Sequence, residues 1–426
     1  MAVTQSKTLE DIRKAVGRNL QKMITSTTSG SGSTTTALDT TLFGGDDEYN
    51  GSYIRITSGT YDGTTRRITD YTSSTGTMTF AAVGGTVAGS VTYELWSDGF
   101  DPQVIDEFIN QAIWEATGRI YDPEESLEVH TDKVNARWEI PSQFAMIQDI
   151  YYRNKVTSKT LHSCGTTFDE STDSDITQAV STEDYKRDGS SLKLTIASGA
   201  SAGDKITDSI TSVDLSRYDY VEFWIKSTVA TSSGNLKIHL DNATVTADGN
   251  DLESLDVPAL TADTWKYCRV ALSNPETDTA IVSIGLEYDN DLGACTIHLD
   301  DIKVVKNDTA VWEKLDRNTW RIDKEGSQGA STQDLVLTDR GRTLAGNTLL
   351  KIVGGDEPAE LSSDSDTTEV PERFVVAYAT ALSAQAGSTR TDMDMDAMRN
   401  IAAFWFTKTE QARYSLPFLI NVRTVR

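Results

Sequence analysis

The chain has 426 residues, 38% of them hydrophobic and 24% charged, and is therefore long enough for several domains with substantial cores. Its 39 Lys and Arg against 64 Asp and Glu give a net charge of -25, which excludes a general nucleic-acid-binding surface, because phosphate contacts need clustered cations. Three widely spaced cysteines indicate neither a disulfide framework nor a zinc site. No stretch approaches the ~18 apolar residues of a membrane-spanning helix. The N-terminus lacks an apolar signal region, so we expect synthesis in the cytoplasm without export, and no membrane partner.

The first 98 residues predict a helix followed by a small β-domain. Apolar residues recur at helical spacing from Leu9 to Leu20, behind Thr8, a residue type that caps helix starts, and 1–25 is therefore assigned as a core helix. Short alternating segments separated by glycines predict a small sheet or barrel over 37–98.

The sequence pattern changes twice in the middle of the chain. Asp101-Pro102 is a strong helix start, and we predict one core helix and several strands over 99–155, continued by core strands over 307–356. Residues 156–306 consist instead of alternating segments parted by turn residues, as in a two-sheet β-sandwich. Because a whole domain can be inserted where its ends lie close together, we interpret this block as an insertion.

The end of the chain predicts a helical pair over 369–412 and an apolar arm over 413–426. Exposure of the arm would cost several kcal/mol, so it must be buried, either as the last strand of its own sheet or in a partner subunit. The arm residues with this role are Leu416, Phe418, Leu419, Ile420, Val422, Arg423 and Arg426.

The inserted block resembles the jelly-roll carbohydrate-binding modules, through the segments 188–194, 214–226 and 297–304. Modules of that type often hold a structural calcium between an early loop and an acidic residue of the last strand. The resemblance thus implies Asp188 and Asp301 as calcium ligands, and carboxylate oxygens suit that ion. Solvated turn acids are the alternative, and we predict no other cofactor.

Sugar binding by such a module would use exposed aromatic side chains. If Val221 and Phe223 face the core, Trp224 faces outward, and His239 and His298 alternate away from apolar neighbours in the same manner. These three residues are the candidate glycan contacts. Packing of Trp224 under a cover is the alternative, because both faces of a jelly-roll sheet can be covered.

The rest of the chain resembles the head-to-tail adaptor (connector) proteins of tailed bacteriophages. The likeness lies in the order of helices and in the segments 138–144, 147–153, 320–323 and 361–372. It implies a ring, commonly a homo-dodecamer, in the virion neck between the portal protein and tail or nozzle proteins. The arm would dock on the portal, with its two arginines against portal carboxylates, and DNA would pass through the channel without specific binding.

No catalytic motif occurs, since the chain lacks His-Glu-x-x-His, Gly-x-Ser-x-Gly and Walker sequences, and we expect no enzyme activity. The predicted fold is α+β and multidomain, with a helical adaptor core, a small N-terminal β-domain and an inserted β-sandwich. The predicted function is that of a structural adaptor whose jelly roll decorates the virion. The alternative is a glycan-binding surface or fibre-type virion protein whose jelly roll binds host carbohydrate.

Overall fold

The computed structural model describes residues 7–117, 119–132, 135–243, 251–325, 332–390, 393–414 and 416. Strands make up 40% and helices 19%, so the fold is mostly antiparallel β. The predicted helical adaptor core is therefore wrong. The helices predicted near both ends of the chain and after Asp101 do form, but alternating segments that fold as strands make up more of the chain than the segments of helical period do.

Five helices lie in the described part of the chain: α1 (Leu9–Leu20), α2 (Pro102–Ala116), α3 (Asp339–Ala345), α4 (Glu372–Gly387) and α5 (Met395–Arg413). Two of them begin at the residues that the sequence predicts. The Thr8 hydroxyl accepts a hydrogen bond from the Asp11 N–H at 3.2 Å, and the Asp101 carboxylate accepts one from the Gln103 N–H at 2.9 Å. None of the described helices is both long and apolar enough to cross a membrane.

The chain divides into two compact units, and the first lies within residues 1–123 and 355–422. Its strands are β1 (Met23–Thr27), β2 (Thr36–Leu38), β3 (Tyr53–Ile56), β4 (Thr65–Thr72), β5 (Thr77–Phe80) and β6 (Thr92–Trp96). They form one antiparallel sheet in the order β1-β6-β3-β4-β5-β2. The small β-domain thus begins earlier than predicted, because β1 pairs with β6. The helices α1, α2, α4 and α5 share a separate hydrophobic core around Phe374.

The first unit also buries charge. The Arg13 guanidinium, fully buried, lies 3.1 Å from Glu94, 3.0 Å from Asp106 and 2.9 Å from Asp364. Because unpaired buried charge is costly, this cluster fixes α1 against β6, α2 and the segment before α4.

The second unit lies within residues 124–354 and is built from antiparallel sheets. Its strands begin and end as follows: β7 (Asp122–Ser126), β8 (Arg137–Glu139), β9 (Met146–His162), β10 (Ser171–Thr172), β11 (Ile176–Ser181), β12 (Ser191–Ile196), β13 (Asp204–Val213), β14 (Tyr220–Ser227), β15 (Leu236–Asp241), β16 (Glu253–Asp256), β17 (Lys266–Ala271), β18 (Ile281–Tyr288), β19 (Cys295–Lys314), β20 (Trp320–Glu325), β21 (Thr332–Leu337) and β22 (Leu350–Asp356).

Two of these sheets form a β-sandwich. The larger has the order β11-β12-β19-β9-β22-β7, with β14 pairing β19 and β17, and the smaller has the order β10-β13-β18-β15-β16. Phe223, Ile225 and Leu299 of the larger sheet and Ile238 and Leu286 of the smaller belong to one hydrophobic core. The prediction of a jelly-roll-like sandwich in this part of the chain is confirmed.

A second, smaller core lies at the other end of the long strands. Ile150, Leu315 and Leu335 belong to it, and the three-stranded sheet β20-β21-β8 contributes to it. β9 and β19 extend from one core to the other, paired from Ile302↔His162 to Lys314↔Tyr151, with a shift of register between Lys306 and Val311. Neither predicted end of the insertion, at 155/156 or 306/307, falls in a loop, but both lie at this irregularity of the pairing. The domain boundaries stay a prediction.

Candidate functional site

The outer face of the larger sheet carries a pair of aromatic residues. On β14, Val221, Phe223 and Ile225 point into the core and are fully buried, so their neighbour Trp224 points the other way. The register of β14 with β17 places Trp224 directly opposite Tyr267, and the two ring centroids lie 5.2 Å apart, edge to face. Such a cross-strand aromatic pair stabilises the sheet and forms the floor of the site described here.

This aromatic floor is covered by a segment from before the sandwich. The His130 ring lies 4.0 Å from the Tyr267 ring and 5.1 Å from the Trp224 ring, between centroids, and Leu127 and Leu349 pack in the same cluster. Only 5% of Trp224 and 7% of Tyr267 is exposed. Trp224 is therefore outward-facing, as predicted, but not the open stacking platform that glycan contact at this residue requires.

A cavity of about 360 Å³ remains beside the covered floor. This volume is at the lower end of the ~300–1,000 Å³ typical of small-molecule sites. Its wall contains five rings and three charged side chains: His130, Trp138, Trp224, Trp265, Tyr267, Glu128, Glu139 and Lys266. Trp138 and Trp265 are half-buried, and the three charged residues are exposed. The cavity thus has aromatic walls and a charged rim.

The Trp265 ring is held in place by a carboxylate. Its Nε1 donates a hydrogen bond of 2.6 Å to Asp184 Oδ1, and Lys226 Nζ lies 2.7 Å from the other oxygen of that carboxylate. Burial alone would raise the pKa of Asp184, but the hydrogen bonds from Lys226 and Trp265 outweigh it and lower that pKa. An ionised Asp184 therefore fixes the orientation of this wall of the cavity.

The Tyr267 ring is held by a buried ion pair. Arg153 donates two hydrogen bonds to the Glu222 carboxylate, at 2.6 and 2.7 Å, and the Tyr267 hydroxyl donates to the same carboxylate. Burial and the charge of Glu222 raise the pKa of Tyr267 well above its ordinary value, so the phenol is neutral. The charges beneath the floor are thus paired with each other.

One polar atom of the floor has no partner. The indole Nε1 of Trp224 is buried and has no hydrogen-bond acceptor among the described residues. Buried Trp N–H groups usually have an acceptor, because an unpaired buried donor costs about 1–3 kcal/mol.

The other two predicted glycan contacts lie elsewhere. His298 shares the outer face with Trp224, but it is buried beside the cavity, with its Nδ1 3.2 Å from Ser191 Oγ. His239 projects from the outer face of the smaller sheet, where its Nε2 lies 2.5 Å from Glu287. Trp224 and His239 therefore face opposite sides of the sandwich and do not form one site.

The cavity residues that the sequence analysis did not assign to a site are His130, Trp138 and Trp265. Trp138 and His130 come from outside the predicted sandwich, so no alternation within the sandwich could connect them to Trp224. The signal that could have marked Trp265 is its position just before β17, two residues from Tyr267.

The predicted calcium ligands do not form a metal site. Asp301 lies 2.8 Å from Lys303 and 3.4 Å from Arg187, and Asp188 is exposed in a turn. Among the described residues no group of three or more His, Cys, Asp or Glu side chains could hold a metal ion. The assignment of Asp188 and Asp301 as calcium ligands stays a prediction, and Asp301 is paired with Lys303 and Arg187 in this structure.

The early loop is instead tied to the last strand by Asp300. Its carboxylate accepts hydrogen bonds from the N–H groups of Lys186 and Arg187, each at 2.7 Å. Burial raises the pKa of Asp300 to about 6, against the lowering effect of these two hydrogen bonds. Hydrogen bonds thus link the loop and the strand that a calcium ion was predicted to link.

Of the predicted docking arm, the structure describes one residue. Leu416 is 3% exposed and packs in the helical core of the first unit. The remaining arm residues lie outside the described residues: Phe418, Leu419, Ile420, Val422, Arg423 and Arg426.

Comparison with known proteins gives structural neighbours only. No family model and no curated protein matches the chain. A family 11 carbohydrate-binding module from Clostridium thermocellum, in complex with a β-1,3-1,4-mixed-linked tetrasaccharide, is similar over 40% of this chain and 95% of its own, with 15% identity and a TM-score of 0.23. A family 29 module complexed with mannohexaose is similar over 36% of this chain and 93% of its own, with 11% identity and a TM-score of 0.21. A family 4 module is similar over 30% of this chain and 77% of its own, with 23% identity and a TM-score of 0.21.

The three structural neighbours named here are carbohydrate-binding modules. Likeness at these identities and TM-scores carries no conclusion about ligand or mechanism. The function has to be argued from the cavity itself.

Proposed function

We propose that this protein binds carbohydrate, and that the cavity beside Trp224 is the binding site. The observation that carries the proposal is the wall of that cavity, which contains three tryptophans, a tyrosine and a histidine. The second unit would then act as a binding module.

The chemistry of a sugar matches this wall. A pyranose ring has C–H faces that pack on aromatic rings, and its hydroxyl oxygens accept hydrogen bonds from donors such as an indole N–H. The half-buried rings of Trp138 and Trp265 are accessible from the rim, whereas Trp224 and Tyr267 form the floor. A sugar would therefore pack between the two accessible tryptophans with its oxygens toward the floor.

The test uses single substitutions of the two accessible tryptophans. Trp138→Ala and Trp265→Ala should each weaken binding of a saccharide found on a glycan array by about tenfold or more, equivalent to about 1.4 kcal/mol. Isothermal titration calorimetry of the full chain measures this loss. The matched control is Trp114→Ala, which removes a tryptophan of α2 that is 70% exposed and lies in the first unit.

Retention of the parent affinity in both cavity variants would place the sugar elsewhere and end the proposal. Absence of binding to every saccharide on the array would do the same. Near-UV circular dichroism of each variant shows whether the fold is retained, because Trp265 also donates a hydrogen bond to Asp184.

The head-to-tail adaptor role is a second candidate, and one feature of the first unit favours a protein partner there. Trp114 on α2 and Tyr414 after α5 are 70% and 82% exposed, and the ion pair Glu115–Arg413 joins the two helix ends that carry them. Exposed aromatic side chains of this kind are enriched at protein interfaces. Ring formation, portal docking and a place in the virion neck stay predictions.

Native mass spectrometry of the chain mixed with a candidate portal protein tests this second role. A complex that is lost when residues 417–426 are deleted, with unchanged thermal stability of the chain, would support the docking arm. An unchanged complex after the deletion would exclude the arm as the docking element.

A further inference from the structure

The six-stranded sheet of the first unit has two edges of different kinds. At one end of the sheet, β2 is covered, because the Ser29 N–H donates a hydrogen bond of 2.8 Å to the Leu38 carbonyl. At the other end, β1 pairs with β6 and has no second neighbouring strand among the described residues. Within the part of the chain that the structure describes, β1 is therefore a free edge.

The backbone groups that face this free edge are those of Thr25 and Thr27. Just after β1, the Thr28 N–H donates a hydrogen bond of 2.9 Å to the Val91 carbonyl, on the side of β6. In an antiparallel pair, residues that bond to one neighbour alternate with residues that face the other side, and the register of β1 with β6 has no shift. The N–H and C=O groups of Thr25 and Thr27 thus point away from β6, and none of them has a partner among the described residues.

The strand β1 also lacks the features that commonly block an exposed edge. Charged side chains, proline and bulges are such features, because they prevent another strand from pairing. β1 has the sequence Met-Ile-Thr-Ser-Thr, and it pairs regularly with β6 over all five residues. Ile24 in this strand is 46% exposed. The edge is therefore regular, uncharged and accessible to an added strand.

A groove of about 720 Å³ lies along this edge. Helix α1 lies directly against β1, since a Cβ added at Gly17 would come within 2.7 Å of the Met23 Cβ. The described residues that line the groove include Lys14 and Arg18 of α1 and no acidic residue, in a chain with 64 acidic and 39 basic residues. Lys14 pairs with Glu10, whereas the exposed Arg18 side chain has neither a hydrogen bond nor an ion pair with a described residue. The groove is thus a positive region of a strongly negative chain.

We propose that the β1 edge binds an extended segment of a partner protein, in which acidic residues alternate with apolar ones. An added strand would form backbone hydrogen bonds with Thr25 and Thr27, and its side chains would alternate between the two faces of the sheet. On the face of Thr25 they would lie beside α1, where Arg18 attracts a carboxylate. On the other face they would lie beside Ile24, whose exposed part an apolar side chain would cover. This inference concerns the first unit and is independent of the sugar-binding proposal.

The first test uses the full chain and a fluorescein-labelled peptide of sequence Thr-Glu-Val-Glu-Val-Glu-Thr with a blocked C-terminus. Fluorescence anisotropy should show saturable binding. A peptide with lysine in place of each glutamate should bind at least about tenfold more weakly at low salt, and the difference should shrink as salt is added. Absence of binding by the glutamate peptide, or equal binding by the lysine peptide, would overturn the proposal.

Two N-methylated versions of the glutamate peptide test the backbone pairing. The N–H groups of the glutamates and those of the valines point to opposite edges of an extended strand, so each version removes the donors of one edge. One version should lose binding, and the other should keep the affinity of the unmodified peptide. Equal affinities of the two versions would show that the peptide does not pair with β1 as a strand.

A substitution in β1 tests the same pairing from the side of the protein. Thr25→Pro should abolish peptide binding and leave the fold intact, because the N–H that it removes points to the free edge, where proline is accepted. Thr25→Ala is the matched control and should keep the affinity to within about threefold, since it retains the backbone donor and acceptor. Thermal unfolding of both variants checks the fold, and full binding by a folded Thr25→Pro variant would contradict the proposal.

The charge of the groove is tested with Arg18→Gln. This variant should bind the glutamate peptide about twofold to fivefold more weakly, as expected for the loss of one exposed ion pair. The matched control is Arg399→Gln, an arginine of α5 that is 64% exposed and does not line the groove, and it should keep the parent affinity. Equal affinities of the two variants would overturn the role assigned to Arg18.

A second copy of the chain is the alternative occupant of the edge. Native mass spectrometry of the chain without peptide distinguishes the two. A monomer that binds the glutamate peptide supports the proposal. A dimer that is lost in Thr25→Pro, together with no peptide binding by the parent chain, would assign the edge to self-association and overturn it.

Discussion

The two outer faces of the sandwich follow the same alternation but have opposite character. The face of the larger sheet presents Trp224 and Tyr267, and a segment containing His130 covers it. The face of the smaller sheet is polar, with His239, Lys205 and other hydrophilic side chains on neighbouring strands. Strand periodicity thus decides which side chains point outward, whereas packing from distant segments decides whether they are available to a ligand.

The polar face stabilises its buried groups by charge rather than by ring contacts. His239 Nε2 lies 2.5 Å from Glu287, and its Nδ1 lies 2.8 Å from Asp251, although the second contact is not aligned as a hydrogen bond. Lys205 Nζ lies 3.3 Å from the same Asp251 carboxylate. The aromatic face also carries ion pairs, and one of them, Arg153–Glu222 beneath Tyr267, is buried, with 6% and 0% of the two side chains exposed.

The largest expected effect comes from breaking that enclosed pair. Arg153→Met should destabilise the fold by about 3–5 kcal/mol, because it leaves the Glu222 carboxylate buried without its bidentate partner. Urea unfolding measures the loss. The control is Arg137→Met, whose guanidinium is 43% exposed and pairs with Asp323, and which should cost roughly 0–1 kcal/mol. Equal effects of the two variants would show that the pair is accessible to water.

A smaller effect should distinguish a covered tryptophan from an open one. Trp224→Leu should cost roughly 2–3 kcal/mol, because it leaves a void between Tyr267 and His130. Lys237→Leu, on the polar face, should change the free energy of unfolding by less than about 1 kcal/mol, since its ion pair with Asp289 is partly exposed. A value below 1 kcal/mol for Trp224→Leu in urea unfolding would mean that the floor is open after all.

The smallest expected effect is a difference between His130 and His239 in how each makes the stability of the fold depend on pH. Burial, reinforced by nearby cations, lowers the pKa of both His130 and His239 in the folded state. Each neutral imidazole therefore contributes stability that is fully present above about pH 6.5, the pKa of histidine in the unfolded chain. This stability is lost as the pH falls through the pKa of the folded state. At His239, Glu287 and Asp251 oppose this shift.

The free energy of unfolding should therefore fall less between about pH 7 and pH 5 in His130→Gln than in His239→Gln, and the two decreases should differ by roughly 1 kcal/mol. The comparison is made between variants, because Asp300, with a pKa of about 6, titrates in the same range with the opposite sign. Thermal unfolding at several pH values measures it. A steeper dependence for His130→Gln than for the parent chain would contradict the burial of a neutral imidazole.

Much of the fold could be predicted where the controlling interactions are local. The starts of α1 and α2 follow from Thr8 and Asp101, whose side chains cap the adjacent N–H groups. The sandwich follows from alternating segments of which the inward residues, such as Phe223, form the core. The helical adaptor core was wrong although its helices were predicted, because segments that fold as strands occupy about twice as much of the chain as helices do.

The candidate site could be predicted only in part, because some of its residues are far from the others along the chain. Trp224 and Tyr267 lie on neighbouring strands and share a face by register. Trp138 and His130 precede the sandwich by many residues, and no pattern in either segment indicates the other. The sequence likewise did not indicate that Asp300, rather than Asp301, accepts the hydrogen bonds of the Lys186 and Arg187 N–H groups.

The sequence by itself determined that Trp224 points away from the sandwich core, because successive side chains of a strand project to opposite faces. Tertiary structure alone decided that residues from another part of the chain cover that face and leave a cavity with aromatic walls and a charged rim. The physical reason is that the periodicity of a strand fixes the direction of each side chain. Which segments cover that side chain, and which charges pair beside it, depend on packing between distant parts of the chain that no short segment encodes.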